Sequence, residues 1–197
     1  MASRLTPERE SELYAATLDL LREVGYEALT MDAVAARTRS SKATLYRQWG
    51  SKPKLVVRAL RHNKPVRIDQ VDTGSLRGDF QVMVAREDDC EMERNSALMR
   101  GLMHAVHENP DLFQALRELL IEPEVTGLNR MLYRAVQRGE ISAGNPALHF
   151  VPHMMVGAFV ARQLLEEQPV DQAFLSRYLD AVVLPALGAQ PPITVTP

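Results

Sequence analysis

The residues between Arg37 and Lys64 have the composition of a surface that binds phosphate groups. This stretch carries nine Lys or Arg residues and no Asp or Glu, although the formal net charge of the whole chain is -2. Residues 1–64 contain twelve basic and seven acidic residues, whereas residues 65–197 contain eleven basic and eighteen acidic ones. This separation of charge indicates a small basic module that meets nucleic acid and a larger acidic part with another task.

Other residue types that carry chemistry are sparse. His149 and His153 are four residues apart and His104 and His107 three apart, spacings at which two imidazoles can ligate a metal from one helix face. No clear Cys or carboxylate set accompanies them, so we predict polar pocket lining or interface hydrogen bonding and no metal site. Cys90 lies in EDDCEME, where the surrounding carboxylates disfavour a thiolate. GxSxG, P-loop, dinucleotide-fingerprint and HExxH motifs are missing, so we expect neither an enzyme nor a cofactor.

Hydrophobic residues recur with a helical period along almost the whole chain, and hairpin signals are nearly absent. We therefore predict an all-α fold. Thr6, Thr30, Ser41 and Ser51 are the predicted helix caps. They place four helices in the amino-terminal third, from Pro7 to Gly25, Thr30 to Thr38, Lys42 to Gln48 and onward from Ser51. The two short middle helices, joined by a tight turn, form a helix-turn-helix. Further helices are predicted at 76–87, 93–107, 110–120, 124–138, 146–167 and 171–187, with breaks such as Glu122-Pro123.

The charge balance changes sign around KPVRIDQVDTGS, residues 64–75, and we place a domain boundary there as a joint rather than a free linker. Residues 1–64 then form the helix-turn-helix domain, residues 65–190 a carboxy-terminal helical domain and residues 191–197 a tail. The amino terminus lacks the apolar segment of a secretory signal. The longest apolar run, Val151 to Ala161, is shorter than the roughly 20 residues that cross a bilayer. A single cysteine fits a reducing compartment, so we expect a cytoplasmic protein without membrane contact.

The segment LTMDAVAARTRSSKATLYRQWGSKPKLV resembles the DNA-binding region of TetR-family transcriptional regulators. The helix cap, the apolar spacing, SKATLYR, the aromatic residue and SK-L all fall in order, and the resemblance extends through the first helix from Thr6. The region from SLRGDF through GEI to the last helix is similar, more loosely, to the ligand-binding and dimerisation part of one branch of that family. The resemblance implies a homodimer with DNA-binding domains at the amino terminus and effector-binding domains at the carboxy terminus.

Two residues in the turn of the helix-turn-helix depart from the family pattern. Arg39 stands where glycine is common, and Ser40 stands where an apolar residue is common. A side chain in a left-handed turn costs on the order of 1 kcal/mol. We therefore expect an altered turn and altered base specificity within the same fold.

The exposed face of the third helix carries the short polar groups and long donors that a major groove requires, in Lys42, Thr44, Tyr46 and Arg47. The resemblance makes Lys42, Thr44 and Tyr46 groove-facing residues, Tyr46 and Lys52 phosphate ligands, and Thr30 both a cap and a phosphate contact. Arg47 is expected to read a base, with guanine as the favoured partner, while Leu45 and Trp49 face the core. The alternative is a solvated basic face on a structural bundle. The DNA-binding residues predicted are Thr30, Ser41, Lys42, Thr44, Tyr46, Arg47 and Lys52.

The last two long helices are predicted to form the homodimer interface. The run from Val151 to Ala161 is apolar on most sides, so one face can meet its own core and another a partner. Its small residues permit close helix approach, although an ordinary buried helix would also explain the run. The interface residues predicted are Phe150, Met154, Gly157, Ala158, Ala161, Leu165, Phe174, Tyr178 and Val182.

The middle helices carry methionine, leucine and aromatic residues on their inward stripes. Such residues can line a deformable apolar pocket for a hydrophobic small molecule, although methionine at helical spacing is also ordinary core. The pocket residues predicted are Met83, Met99, Met103, His107, Phe113, Leu116, Leu120, Met131 and Met154.

Taken together, these patterns predict a DNA-binding transcriptional regulator. We expect a ligand-responsive repressor that binds a palindromic operator as a homodimer and is released by a small hydrophobic effector. One alternative is a small-molecule-binding helical protein in which the basic segment is incidental. The other is an architectural DNA binder of low specificity, for which binding would be salt-sensitive but nearly independent of sequence.

Overall fold

A computed structural model describes residues 5–63, 68–85 and 88–189, without the side chains at 69, 96, 99 and 100. Within these ranges the chain is helical and contains no β-strand, so the all-α prediction is confirmed. Short 3₁₀ turns lie at Ile68–Gln70 and Pro146–Phe150, and π-helical turns at Arg117–Ile121 and Leu179–Val183. The helices are α1 (Pro7–Ala28), α2 (Met31–Arg37), α3 (Lys42–Trp49), α4 (Lys52–His62), α5 (Leu76–Val84), α6 (Asp89–Glu108), α7 (Pro110–Leu116), α8 (Glu122–Gln137), α9 (Val151–Glu166), α10 (Gln172–Tyr178) and α11 (Leu184–Ala186).

Side-chain caps start each of the first four helices where the sequence predicts them. Thr6, Thr30, Ser41 and Ser51 each accept a hydrogen bond from the backbone N–H three residues further on. Each cap satisfies one of the N–H groups that the first turn of a helix leaves without a partner. Gly25, at φ 75°, interrupts the helical backbone as predicted, but helical hydrogen bonding resumes beyond it and carries α1 to Ala28.

The chain divides into two compact units that are not contiguous in sequence. One contains residues 1–65 and 97–123, and the other contains residues 66–96 and 124–197. The first unit therefore adds the second half of α6, all of α7 and the following π turn to the helix-turn-helix segment. The division of the chain at residue 64 stays a prediction.

The first unit has one continuous core. Leu45 and Trp49 on the inner face of α3 are buried together with Leu13 and Leu18 of α1, as their spacing predicts. The same core includes residues from α6, α7 and the π turn, which are Leu98, Leu102, Ala105, Leu112, Ala115, Leu116 and Leu120. The helix that presents the basic face is thus supported by helices from the middle of the chain.

The predicted break at Glu122-Pro123 is wrong, because helical hydrogen bonding continues from α7 through a π turn into α8. Pro123 has no N–H, and its ring would clash with the carbonyl four residues earlier, that of Leu119. The π turn shifts the hydrogen-bond ladder by one residue, so that the Glu122 N–H donates to the Arg117 carbonyl. The Leu119 carbonyl instead accepts a hydrogen bond of 3.3 Å from Arg61 of α4.

Other helix boundaries differ from the sequence prediction by a few residues. A second π turn precedes Pro185, where the Leu184 N–H donates to the Leu179 carbonyl, and it lies within the helix predicted at 171–187. The helix predicted from residue 93 already begins at Asp89. The helix predicted at 76–87 extends from Leu76 to Val84, and residues 86–87 lie outside the described ranges. A 3₁₀ turn forms the start of the helix predicted at 146–167.

In the second unit, a buried carboxylate fixes the segment before α5. Asp79 is fully buried, and its Oδ1 accepts hydrogen bonds from the backbone N–H and the hydroxyl of Thr73, at 2.7 and 2.8 Å. Its Oδ2 lies 3.8 Å from a guanidinium nitrogen of Arg138 and 4.0 Å from one of Arg134. Arg134 also donates to the Val71 carbonyl.

These contacts hold residues 71–76, which include the last five residues of the predicted joint, against α8. The Leu76 N–H adds a hydrogen bond of 2.7 Å to Glu140, just beyond the end of that helix. Residues 64–67 of the joint lie outside the described ranges, as does the predicted tail at 191–197. Among the helices of the described segments, none combines the length and the hydropathy that crossing a membrane requires.

Candidate nucleic-acid interface

The turn between α2 and α3 contains a residue in the left-handed region. Arg39 lies at φ 50°, as expected from an arginine in place of a turn glycine. Before it, the Thr38 hydroxyl donates a hydrogen bond of 2.8 Å to the Val34 carbonyl, which extends the end of α2. The side chain of Arg39 therefore costs conformational energy that glycine would avoid.

An arginine from α1 holds this turn on both sides of Arg39. The Arg9 guanidinium donates to the Thr38 carbonyl and, over 3.2 Å, to the Ser40 hydroxyl, and it pairs with Glu12 at 2.7 Å. The sequence does not reveal this role of Arg9, because its partners are 29 and 31 residues away in the chain. The contact orients α3 relative to α1.

We expect Arg39→Gly to stabilise the protein by about 0.5–1 kcal/mol, because relief of left-handed strain exceeds the extra entropy of glycine in the unfolded chain. Arg39→Ala is the matched control, since it removes the same charge but keeps the strain. Urea denaturation followed by circular dichroism measures both variants. Equal stability of the glycine and alanine variants would show that the turn is not strained.

The recognition helix α3 begins with two linked hydroxyls. Ser41 caps the helix by accepting from the Thr44 N–H at 3.1 Å, and the two side-chain hydroxyls lie 2.8 Å apart. The first turn contains no acidic residue. Tyr46 is 44% exposed, and Lys42 and Arg47 are exposed as well. This face offers hydroxyls and cations to an anionic partner.

The two cations of α3 differ in their contacts. The Lys42 ammonium donates to Asp32 of α2 at 2.8 Å, and this hydrogen bond raises the pKa of Lys42. The Arg47 side chain forms no hydrogen bond or ion pair with any residue of the described segments. Its five N–H donors are therefore available to a base edge or a phosphate.

Lys52 and Thr30 flank the recognition helix with donors that are only partly used. The Lys52 ammonium donates to the Tyr26 carbonyl at 2.9 Å and lies 4.2 Å from the centroid of the Tyr26 ring. The Thr30 hydroxyl accepts from the Ala33 N–H at 3.1 Å as the cap of α2. An ammonium has three N–H donors and a capping hydroxyl keeps its own hydrogen, so both groups can still donate to phosphate.

Behind α3, Trp49 connects the helix to α1 through buried polar atoms. Trp49 is 2% exposed, its Nε1 donates to the Tyr14 hydroxyl at 3.0 Å, and the two rings meet edge to face at 5.7 Å. The Tyr14 hydroxyl in turn donates to Glu10 at 2.7 Å. Burial raises the pKa of Tyr14 to about 12, so the hydroxyl keeps its proton at neutral pH. The sequence predicts Trp49 in the core but does not reveal Tyr14 as its partner.

Comparison with known families covers most of the chain. Residues 13–59 match the family described as "Bacterial regulatory proteins, tetR family", and residues 70–182 match "Tetracyclin repressor-like, C-terminal domain". This chain belongs to the TetR family. It is a DNA-binding transcriptional regulator, and the resemblance predicted from the sequence is confirmed.

Relatives of this TetR-family protein match it over most of their own length. An uncharacterized HTH-type transcriptional regulator of Mycobacterium tuberculosis is 35% identical over 91% of this chain and 88% of its own. The DNA-binding transcriptional repressor TetR of Mycobacteroides abscessus is 32% identical over 89% of this chain and 92% of its own. The crystal structure of the TetR-family regulator SCO0332 superposes with a TM-score of 0.69 and 26% identity, over 94% of this chain and all of that one. The family and these relatives are regulators and not enzymes.

The residues predicted to line an effector pocket are divided between the two units of this TetR-family chain. Leu116 and Leu120 are buried in the core of the first unit, and Met131 is fully buried in the second. Met83 and Met154 are partly buried in the second unit. In the first unit Met103, His107 and Phe113 are exposed, and the side chain of Met99 lies outside the described part. The pocket stays a prediction.

A polar cleft of about 290 Å³ in the first unit contains none of these residues. It lies between the start of α4 and α7, and ammonium, carboxylate, amide and hydroxyl groups line it. They belong to Ser51, Lys54, Asp111, Gln114 and Glu118, and Ala115 completes the lining.

Several of the predicted interface residues are exposed in the single chain. Leu165 is 82% exposed, and Phe150, Gly157, Ala161 and Val182 are also exposed. Ala158 is buried, while Met154, Phe174 and Tyr178 are partly buried, with the Tyr178 hydroxyl donating to the Met154 carbonyl at 3.3 Å. Further exposed apolar residues of α9, beyond the predicted interface residues, are Val156, Phe159, Val160 and Leu164.

Of the histidines that are paired by their spacing in the sequence, His149 and His153 have ring centroids 6.2 Å apart. The Nδ1 atom of His107 lies 2.9 Å from the Met103 carbonyl oxygen. Within residues 5–63, 68–85 and 88–189, no three His, Cys, Asp or Glu side chains are grouped as metal ligands would be.

Proposed function

We propose that this TetR-family regulator is a homodimeric repressor that binds a palindromic operator and leaves it when a small hydrophobic effector binds. The observation that carries the proposal is the exposed face of α3, with Lys42, Tyr46 and Arg47, on a helix whose opposite face is buried through Leu45 and Trp49. A short helix supported in this way enters a major groove as a rigid element. Because the proposed operator lies on the chromosome, we expect the protein in the cytoplasm.

The side chains have different roles in this proposal. Arg47 reads a base, because a free guanidinium can donate two hydrogen bonds to O6 and N7 of guanine. Lys52 and Thr30 hold phosphates, since both are anchored on the protein and keep one or more donors. Tyr46 contributes a hydroxyl at the groove edge, while Ser41 and Thr44 fix the start of the helix.

We expect Arg47→Ala to weaken operator binding by about 1–3 kcal/mol while affecting random DNA less, because a base contact is lost. Lys52→Ala is expected to weaken binding to both DNAs similarly and to reduce the salt slope by about 1. Fluorescence anisotropy with operator and random duplexes at several salt concentrations separates the two effects. Arg130→Ala, which removes an exposed arginine from α8, is the matched control.

Equal losses on operator and random DNA for both variants would contradict the assignment of Arg47 as a base reader. Unchanged binding for both would contradict the placement of DNA on α3.

Homodimerisation is supported by the apolar face of α9. Val156, Val160 and Leu164 are spaced at i, i+4 and i+8 and are more than half exposed in the single chain. Large uncovered apolar patches of this kind mark interaction sites. Gly157 and Ala161 form an adjacent row of small residues along the same helix. A second copy of the chain covers this face in a two-fold arrangement, and two recognition helices then read the two halves of a palindrome.

We expect Gly157→Leu to raise the dimer dissociation constant about 100-fold, equivalent to about 2.7 kcal/mol, because a leucine prevents close approach of two helices. The single chain tolerates the change, since a Cβ at Gly157 meets no atom within 4 Å and the position lies inside a helix. Gly101→Leu is the matched control, because Gly101 of α6 is also helical and equally open. Sedimentation velocity over a concentration series measures the dimer. A Gly157→Leu variant that dimerises as tightly as the control would exclude this face.

Release by an effector is supported by the packing of α4 in the first unit. Helix α4 contacts α7 and the π turn, and Arg61 of α4 donates to the Leu119 carbonyl that Pro123 leaves without its helical partner. An effector that displaces α7 therefore moves α4 and, with it, the DNA-binding helices. Coupling of this kind is reciprocal, so the operator must weaken effector binding by the same factor as the effector weakens operator binding. Independent affinities would contradict the switching proposal.

A further inference from the structure

Asp32 is an isolated negative charge in the most basic part of the chain. It is the only acidic residue between Glu27 and Asp69, and the nine basic residues of 37–64 follow it. In the first turn of α2 it interacts favourably with the helix dipole, which is a role that many acidic residues fill. The position of its carboxylate indicates a second role.

The carboxylate of Asp32 contacts the recognition helix. Its Oδ2 lies 2.8 Å from Nζ of Lys42, with the Asp32 side chain 67% and the Lys42 side chain 51% exposed. An ion pair this exposed contributes little to folding stability. Its larger consequence concerns charge, because it neutralises a cation on the face that meets DNA.

We infer that Asp32 is a specificity-determining residue that lowers the affinity of the protein for non-operator DNA by holding Lys42. This inference rests on the proposed function. Binding to random DNA depends on cations that neutralise phosphates and release counterions. A Lys42 that is already paired with Asp32 adds no net cation to that process, and the carboxylate repels a phosphate placed beside it.

On the operator, the charge of Asp32 is offset in a way that random DNA does not allow. In the operator complex, Lys42 keeps its contact with Asp32 and directs its two remaining N–H donors at acceptor atoms such as O6 and N7 of guanine. Only a groove in the right register offers those atoms at that position. Asp32 thus lowers affinity for every DNA sequence through its charge, and on the operator alone it offsets this loss by orienting Lys42.

The test is Asp32→Asn, which keeps the shape of the side chain and removes its charge. We expect the affinity for a random duplex at about 0.1 M salt to rise roughly 5–10-fold. The slope of log K against log salt is expected to steepen by about 0.9, the value for one added phosphate contact. Affinity for the operator is expected to change less than about 3-fold, so the ratio of operator to random affinity falls. Thermal unfolding confirms that the variant is folded.

A double-mutant cycle with Lys42→Ala shows whether Asp32 acts through this lysine. We expect Asp32→Asn to have no effect on the salt slope when Lys42 is absent. If the full effect persists in the Lys42→Ala background, Asp32 acts by general repulsion and the inference is wrong. Glu27→Gln, at an exposed acidic position outside the pair, is the matched control and is expected to leave the slope unchanged.

The affinities of the wild-type protein and of Asp32→Asn also separate this inference from the proposed function. A wild-type protein that binds operator candidates and random DNA equally well would defeat the proposed function and the inference together. A wild-type protein with high specificity that Asp32→Asn leaves unchanged would defeat only the inference.

Discussion

Replacing Trp49 by alanine is expected to lower the free energy of unfolding by about 3–5 kcal/mol, the cost of removing a buried tryptophan from a packed core. Trp49 is 2% exposed and contributes its ring, through an edge-to-face contact at 5.7 Å, to the core that supports α3. Its loss also leaves the Tyr14 hydroxyl without the indole donor. Because α3 is positioned from this side, operator binding is expected to be lost at temperatures where the variant is still mostly folded.

Urea denaturation followed by circular dichroism measures the effect, since Trp49 is the single tryptophan of the chain and its fluorescence disappears with the substitution. Tyr14→Phe is the companion variant. It keeps the aromatic contact but leaves the buried indole N–H without an acceptor, and we expect a loss of about 1–3 kcal/mol. A Trp49→Ala variant that loses less than about 1 kcal/mol would show that α3 does not depend on this core contact.

Asp79→Ala is expected to destabilise the second unit by about 3 kcal/mol. Removing one partner of a buried ion pair costs about 3–5 kcal/mol, and solvent around the two arginines, whose side chains are about a quarter exposed, places this case at the low end. The substitution also removes the acceptor for two hydrogen bonds from Thr73. Residues 71–76 then lose their attachment to α8.

Asp79→Asn separates charge from shape, because an amide oxygen can still accept from Thr73. We expect it to lose less stability than the alanine variant, with the difference measured by urea denaturation. Hydrogen exchange of the backbone at residues 71–76 provides an independent measurement, and Asp79→Ala is expected to accelerate it. Unchanged protection of that segment would mean that other contacts hold it.

Features that depend on neighbouring residues were predictable from the sequence. The caps Thr6, Thr30, Ser41 and Ser51 were located because a hydroxyl before a helical run satisfies N–H groups only a few residues away. The left-handed conformation of Arg39 followed from its place in the turn. The family pattern added the groups that face DNA, which periodicity alone identifies only as an exposed polar face.

Features that depend on distant residues were not predictable. Arg9 and Asp32 occur among ordinary surface charges of helices, and only the fold brings them to Ser40 and Lys42. Pro123 indicates a helix break, yet a π turn and a distant arginine accommodate it within continuous helical hydrogen bonding. Burial of part of α6 and α7 with the helix-turn-helix depends on packing across about 40 residues of intervening chain, and sequence periodicity contains no information about such partners.

Selection of bound sequences from a pool of random DNA duplexes, followed by titration of the enriched sequence at two salt concentrations, tests the central claim most directly. The account predicts a palindromic consensus that a dimer binds at least about 1000-fold more tightly than random DNA, with affinity decreasing as salt increases. A pool without any enriched site, bound at the same affinity as random DNA, would contradict it.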